Sequence, residues 1–422
     1  ADAAGLPVQG GLPVQGGLPV QGGLPVQGGL PVQGGLPVRL SRRIHPPVVT
    51  RFAAIDPTMT LYLQNMVPYS DLLREVLSTR GIKACVLPPT DYDAVDLGRN
   101  YTITNEYLSL TAMLGDFIRK SRKIRDRYET TAFWVFQDEG AETEGQYSRI
   151  LRTKLDDEGA QNITILSPFI EDILHSDPIL FESVSFAMLA GDLIRLTPAI
   201  ARPVCFQRGL DTIRKVGLNL NGLKLIADDV VREIKQCRCL KKILAIGEPI
   251  LLCNDYLNNH TFSLIEEKGT RVISSPFSEC LWLRWSDFAH HDRIRDNAEI
   301  SRKLDQFKIS MGIVSGWLGD ESPFEDNPDN LVSLADQSLG FYAGANGRFR
   351  EAKALSGAKG CHGVITVSSM YENTGIAINI IHKEFENRLG YPSLNLTFDG
   401  TKNQNDESKV DSFIYYLRGN NQ

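Results

Sequence analysis

No apolar run in this chain reaches the roughly 18 residues that a membrane span requires, so no stretch reads as a transmembrane helix. Basic residues are in deficit, with 45 lysines and arginines against 51 acids and a formal charge of -6. With a pI near 5.8, the composition excludes a nucleic-acid binder that works by neutralising phosphates. The opening ADAAGLPVQGG has neither the basic nor the apolar segment of an intact signal peptide. Cysteine is sparse and irregular: Cys85, Cys205, Cys237, Cys239, Cys253, Cys280 and Cys361. An odd number without regular spacing points to a reduced, cytoplasmic protein. The one close pair, Cys237-Arg-Cys239, lacks the spacing of a zinc site. There is no GxGxxG after the first strand and no P-loop. Ser369 has no GxSxG elbow and no histidine near it in sequence, which argues against a hydrolase triad. His290-His291-Asp292 is a weak metal candidate, because adjacent helical side chains point about 100° apart.

What is present is ordinary for a soluble globular protein, 42% hydrophobic and 23% charged. A length of 422 residues suggests two or three domains. Residues 5–38 repeat LPVQGG, five full copies and a truncated sixth. One proline and two glycines per copy oppose helix and strand, and Leu and Val alone cannot build a core. The repeats therefore read as a flexible extended linker, residues 1–42, with a hexapeptide β-helix as the rival. A linker at this position suggests an attachment upstream.

The first α/β block spans residues 43–168. It alternates strands at Thr60–Met66, Lys83–Pro89, Thr130–Phe136 and Asn162–Pro168 with helices. The helix after the first strand takes Ser70 as N-cap and ends at Gly81. Helices follow over Leu108–Lys123 and Tyr147–Glu158, the latter entered through Gly145-Gln146-Tyr147. This βαβ order predicts a parallel sheet. Residues 169–239 carry helical patterns and few strand signals, and read as a bridge. The second α/β block, residues 240–422, opens with a strand at Lys241–Ile250 ending at Gly247-Glu248. A helix over Asn254–Gly269, a strand at Thr270–Pro276, and helices over Ser286–Met311 and Leu331–Leu355 follow.

The chain is organised around Gly363–Gly375, GVITVSSMYENTG: a buried strand, a loop, then a helical pattern and a last strand at Pro392–Phe398. Ligands of open α/β sheets sit at the carboxyl ends of strands, so chemistry is expected in the loop Ser368–Gly375. Asp399-Gly400-Thr401 reads as a turn. The fold class is α/β, with two Rossmann-like parallel-sheet halves joined by a helical region and preceded by a repetitive linker.

Four collinear stretches together resemble one family. They are LPPTDYDAVDLGRNYTITNEYLSLTAMLGDF, GAETEGQYSRIL, KKILAIGEPILLCNDYLNNHTFSLIEEKGTRVI, and GVITVSSMYENTGIAINII with YPSLNLTFDGTKNQNDESKVDSFIYYL. Over Thr60–Leu417 the chain resembles the 2-hydroxyacyl-CoA dehydratase/benzoyl-CoA reductase superfamily, closest to its activase-associated members. The resemblance implies two halves facing a cleft. In that family the cleft holds an iron–sulfur cluster on cysteine thiolates, which an activase reduces and which passes its electron to an acyl-CoA thioester.

The reactive cysteines are absent here. The family's Glu-Cys-Tyr-Pro is Glu106-Tyr107-Leu108-Ser109, its Gly-Pro-Cys-Arg is Gly140-Ala141-Glu142-Thr143, and its Pro-Phe-x-Cys is Ser369-Met370-Tyr371-Glu372. Clusters need soft thiolates, so no iron–sulfur cluster is expected at this position. Cys253 and Cys361 sit nearest to the family loops and read as structural.

Three readings follow. The chain is a scaffold subunit in a homo- or hetero-oligomer with a dehydratase/reductase-like or activase-like protein. Alternatively, Glu106, Tyr107, Glu142 and Glu372 converge to hold a hard divalent metal, or Glu142 and Glu372 act in acid–base catalysis. In the third reading the cleft binds an acyl-CoA or other small ligand, with phosphate taken at the helix starts after Gly247 and Gly375.

Overall fold

A computed structural model describes residues 48–422 except 51–57, 104–105, 125–129, 138–142, 238–240, 292–296, 341–344, 359 and 420–422. The LPVQGG repeats lie outside the described residues. The fold is α/β with two parallel sheets. The first sheet contains β1 (Val48–Val49), β2 (Thr60–Leu63), β3 (Lys83–Val86), β4 (Thr131–Trp134) and β5 (Ile163–Leu166), in the order β1-β5-β4-β2-β3. Its helices are α1 (Tyr69–Thr79), α2 (Tyr92–Arg99), α3 (Leu108–Ile124) and α4 (Tyr147–Asp157). β1 lies upstream of any strand signal read from the sequence; it pairs in parallel with β5.

The intervening region is helical, as expected: α5 (Pro178–Arg195), α6 (Arg202–Val216) and α7 (Leu220–Gln236). The second sheet is built from β6 (Lys241–Gly247), β7 (Thr270–Ser274), β8 (Gly363–Ser369) and β9 (Ser393–Phe398), in the order β7-β6-β8-β9. Around it run α8 (Pro249–Cys253), α9 (Thr261–Glu267), α10 (Phe277–His291), α11 (Ala298–Leu318), α12 (Asp329–Ser338), α13 (Ala345–Ser356), α14 (Asn373–Leu389) and α15 (Gln404–Gly419). No helix of the described residues is long and apolar enough to cross a membrane.

Several boundaries differ from those the sequence predicts. Ser70 is not the N-cap of α1; that position is Pro68, which makes no side-chain cap bond. The Ser70 hydroxyl instead donates to the Gln64 carbonyl at 2.6 Å and accepts from the Met66 N–H at 3.1 Å, bracing the turn after β2. The helix expected over Asn254–Gly269 is confined to α9, Thr261–Glu267; residues 254–260 form turns after α8 ends at Cys253. Asn254 Oδ1 accepts from the Leu257 N–H at 3.1 Å, and Asn259 and His260 adopt left-handed backbone at φ 53° and 57°. Asparagine side chains satisfy the backbone locally and so compete with helix. The Ser286–Met311 helix begins earlier, at Phe277, and the segment divides into α10 and α11. Leu331–Leu355 likewise divides into α12 and α13.

α5 is apolar almost all round, the pattern of a buried helix. Its Ala187, Leu189, Ala190 and Leu193 are fully buried. It shares one hydrophobic core with Leu61 and Trp134 of the first sheet and Leu244, Ile246 and Ile273 of the second. A second cluster joins Val95 and Leu108 of the first half to Ile365, Val367 and Phe398 of the second. The bridge and both sheets are thus one packed body within His45–Gln422.

Asp192 on α5 is a polar joint in this core. Its carboxylate accepts from Tyr69 Oη at 2.7 Å and from the N–H groups of Phe277 and Ser278 at 2.7 and 3.0 Å. It caps α10 from a neighbouring helix, satisfying donors that a helix start leaves open. Burial raises its pKa from 3.8 to about 6, against the pull of its hydrogen bonds. Asp192→Ala strands those donors and is expected to lower unfolding free energy by about 3 kcal/mol in urea titration. The folded pKa lies above the unfolded one, so native Asp192 keeps its proton longer, and its contribution is largest below pH 4 and fades as pH rises to about 6. Asp192→Asn should remove that part of the pH slope; an unchanged slope would refute the assignment.

Candidate active site

Each sheet reverses its strand order once, and the crevice at such a switch point is where ligands bind in open α/β sheets. In the first sheet the reversal lies between β2 and β4, in the second between β6 and β8. One cavity of about 240 Å³ is bordered by strand ends from both sheets. Leu63, Gln64 and Met66 reach it from β2, Trp134 to Gln137 from β4, and Glu248 to Ile250 from β6. Met113, Val184, Met188 and Leu281 add apolar walls from the flanking helices.

The polar groups gather where β6 and β8 end. Glu248 directly follows β6 and is 3% exposed. Ser369, the last residue of β8, donates its hydroxyl to Glu248 Oε2 at 2.6 Å. The other carboxyl oxygen, Oε1, is buried and has no hydrogen-bond partner among the described residues. Three residues beyond Ser369, Glu372 holds the N-cap position of α14 without a side-chain cap bond and is buried. Arg350 of α13 grips it with both guanidinium nitrogens, at 2.8 Å and 2.7 Å, a bidentate charge-assisted pair. Burial, followed by the Glu372 charge, pushes Glu248 well above the ordinary carboxyl range; Arg350 and Ser369 pull the other way. Directly before Glu372, the exposed Tyr371 sits at φ 68°, in left-handed backbone that a residue with a Cβ adopts at a cost.

Hydroxyl groups approach from the first half. Tyr107 Oη accepts from the Asn373 N–H at 2.9 Å, bridging 266 positions in sequence. Thr143 lies within hydrogen-bonding reach of both Tyr107 and Tyr147. Tyr147 Oη meets Ser109 Oγ at 3.2 Å. Burial raises both phenols, Tyr147 strongly, so they are neutral donors near pH 7. Glu144, Tyr147 and Ser109 line the cavity beside Glu248. Arg284 also lines it, with Nε donating to Glu171 Oε1 at 2.6 Å.

Of the residues picked from sequence, the structure brings Tyr107 and the Glu372 loop together. Glu106 is half-buried just before α3 and is not among the cavity-lining residues. Glu142 lies outside the described residues. Gly247 and Gly375 have steric reasons to be glycine. A Cβ on Gly247 would strike the Val367 carbonyl, and one on Gly375 the Ser368 side chain. The helix starts beside them offer little to a phosphate: Pro249 brings no N–H to α8, and the Asn373 N–H is committed to Tyr107. Both oxygens of Glu372 are engaged by Arg350, and among the described residues no three His, Cys, Asp or Glu side chains gather as a metal site.

An iron–sulfur cluster does not fit these donors. Tyr107 is a raised phenol and Glu372 an ion-paired carboxylate, while thiolates are what such clusters require. The described cysteines form no disulfide with one another; burial pushes Cys361 up to about 11. His290 and His291 are exposed at the end of α10, and Asp292 and Cys239 lie outside the described residues. Asp399 forms the expected turn, its Oδ1 accepting from the Thr401 N–H at 2.8 Å.

Sequence reasoning passed over Glu248, Arg350 and Glu144. The legible signal was Gly-Glu-Pro: an acid at the carboxyl end of an apolar strand, directly before a proline that opens a helix. Arg350 had no such signal, since its pairing with Glu372 arises only when α13 packs against α14. No protein-family model matches this chain, and no curated protein matches it.

Removing Arg350 leaves Glu372 charged and buried beside Glu248. Arg350→Met is expected to cost about 3–5 kcal/mol in urea unfolding, and Arg350→Met/Glu372→Leu to recover most of it. A single-variant loss below about 1 kcal/mol would contradict the pairing.

Proposed function

We propose that the chain is an enzyme of acid–base type, acting in the cleft on a small, mainly apolar substrate that bears a carbonyl, an acyl thioester or a ketone. The observation that carries this reading is Glu248, a cavity-lining acid of the 240 Å³ space whose buried Oε1 has no hydrogen-bond partner among the described residues. Buried polar atoms ordinarily have partners, so such an oxygen on a cavity-lining side chain points to a ligand atom as its partner. Near Glu248 stand Glu144 and Glu372, and Arg350 is the cation that pairs with Glu372. Burial first, and then the Glu372 charge, favours Glu248 in its protonated form, as a donor. A protonated carboxyl in an apolar site recognises a hydrogen-bond acceptor and can pass it a proton.

The superfamily resemblance is compatible with this reading as a proposal about ancestry. The two-lobed scaffold is retained, and the loops that would carry the cluster cysteines carry oxygen-bearing side chains instead. Under this reading the chain does not transfer low-potential electrons.

The test is discrimination between two probes of equal size. Cyclohexanone, an acceptor, is expected to bind in ligand-observed NMR, and cyclohexylammonium, a cation with donors only, to bind at least about tenfold more weakly. Glu248→Ala should remove the preference. Equal binding of the two probes, or a preference for the cation, would overturn the proposal.

A second reading has one observation in its favour. Tyr371, Ile376 and Ile380 are exposed beside the site, on the loop and outer face of α14, with Ile380 at 77%. Such a surface suits a scaffold subunit that meets a dehydratase/reductase-like or activase-like protein. It predicts that Ile380→Lys changes the sedimentation of the assembly; a chain that sediments as the same monomer with either residue would exclude it for this face.

A further inference from the structure

The cavity holds a second carboxyl on its wall. Glu144 stands in the 3₁₀ turn Thr143–Gln146, directly ahead of α4. It is half-buried, whereas Glu248 is 3% exposed. Two carboxyls that face one small apolar space from unequal environments divide into an acid and a base, the one kept dry holding its proton. Glu248 also supplies an independent mark of a ligand seat, an Oε1 that has no hydrogen-bond partner among the described residues.

We propose that Glu144 is the base that complements Glu248, and that the reaction at this site is proton transfer at the carbon next to a carbonyl. This rests on the acid–base reading above and names its reaction class. The Glu144 carboxylate removes the α-proton and becomes a carboxylic acid. The electron pair of the broken C–H bond becomes the C=C bond of an enol, while the C=O π pair goes to the oxygen. That oxygen takes the proton of Glu248, which is left as a carboxylate. Return of a proton to either face, or to a conjugated carbon, regenerates the carbonyl as exchanged, inverted or isomerised product. Atoms and charge balance without an oxidant, a reductant or a second substrate. Tyr147, a neutral phenol in the same wall, is placed as an additional donor to the enol oxygen.

Size limits the substrate. An apolar cavity of about 150 Å³ admits benzene, so 240 Å³ accommodates one ring or a short branched chain with a few further atoms. The carbonyl end fits and a nucleotide does not, so any coenzyme handle must remain outside the cavity.

The experiment follows loss of the α-methylene signal of cyclohexanone in D₂O by proton NMR, with binding measured on the same samples. The full chain is expected to exchange those protons well above the buffer rate. Glu144→Gln should lower the rate about 100-fold or more while cyclohexanone affinity changes less than about threefold. That split separates a lost base from a damaged fold. Glu248→Gln should weaken both rate and binding. The wild-type rate should fall as pH rises and Glu248 loses its proton. Ketone that binds without exchange, or exchange that survives in Glu144→Gln, overturns this inference and leaves the acid–base cleft standing. Absence of cyclohexanone binding overturns both.

Discussion

A buried guanidinium among several carboxyls is the constraint on which this site depends. Arg350 lies on α13 and holds Glu372 at the start of α14, so it ties the loop after β8 to a helix that precedes it. The bidentate geometry fixes the direction as well as the charge of Glu372. Arg350 also pulls the Glu248 pKa down through its charge, but among the described residues the only hydrogen bond to the Glu248 carboxyl is that from Ser369, which satisfies one oxygen. The raised affinity of Glu248 for a proton thus follows first from its burial and then from the neighbouring Glu372 charge.

The cavity exists because two strand-order reversals are brought to one place. Each sheet alone would present its switch point as an open crevice. α5, which is apolar on nearly every face, lies in the core common to both sheets, and Asp192 locks it to α1 and α10. Residues at the ends of β2, β4 and β6 then border one space, whose wall is mainly apolar with a few polar side chains, Glu144, Tyr147 and Glu248 among them. A mainly dry space with a few convergent polar atoms is the usual form of a small-molecule site.

Much of the fold was legible in the sequence, because strand and helix periods and the βαβ order are local properties. The parallel sheets and the helical region between them follow from Thr60–Met66 to Phe398 read in order. Errors clustered where side chains override the local pattern. Ser70 looks like a cap, yet the backbone of Gln64 competes for its hydroxyl. Asn254, Asn258 and Asn259 sit in an apparently helical run and break it. The site was legible only in part. The loop after β8 was placed by the rule for strand ends, and Tyr107 and Glu372 do meet there. The partners that define its chemistry, Arg350 and Glu144, are separated from Glu248 by about a hundred residues in sequence, and no short-range period reports contacts of that kind. Ser369 was weighed as a nucleophile lacking histidine, whereas its role is to orient an acid.

The shared core has a consequence for traffic through the cavity. Jaw-like separation of the two sheets would peel α5 from Leu61 and Trp134 on one side and Leu244 and Ile273 on the other, exposing a large dry interface at once. Access to the cavity therefore falls to its less buried lining side chains, Met66, Phe136 and Gln137, and not to a hinge between the sheets.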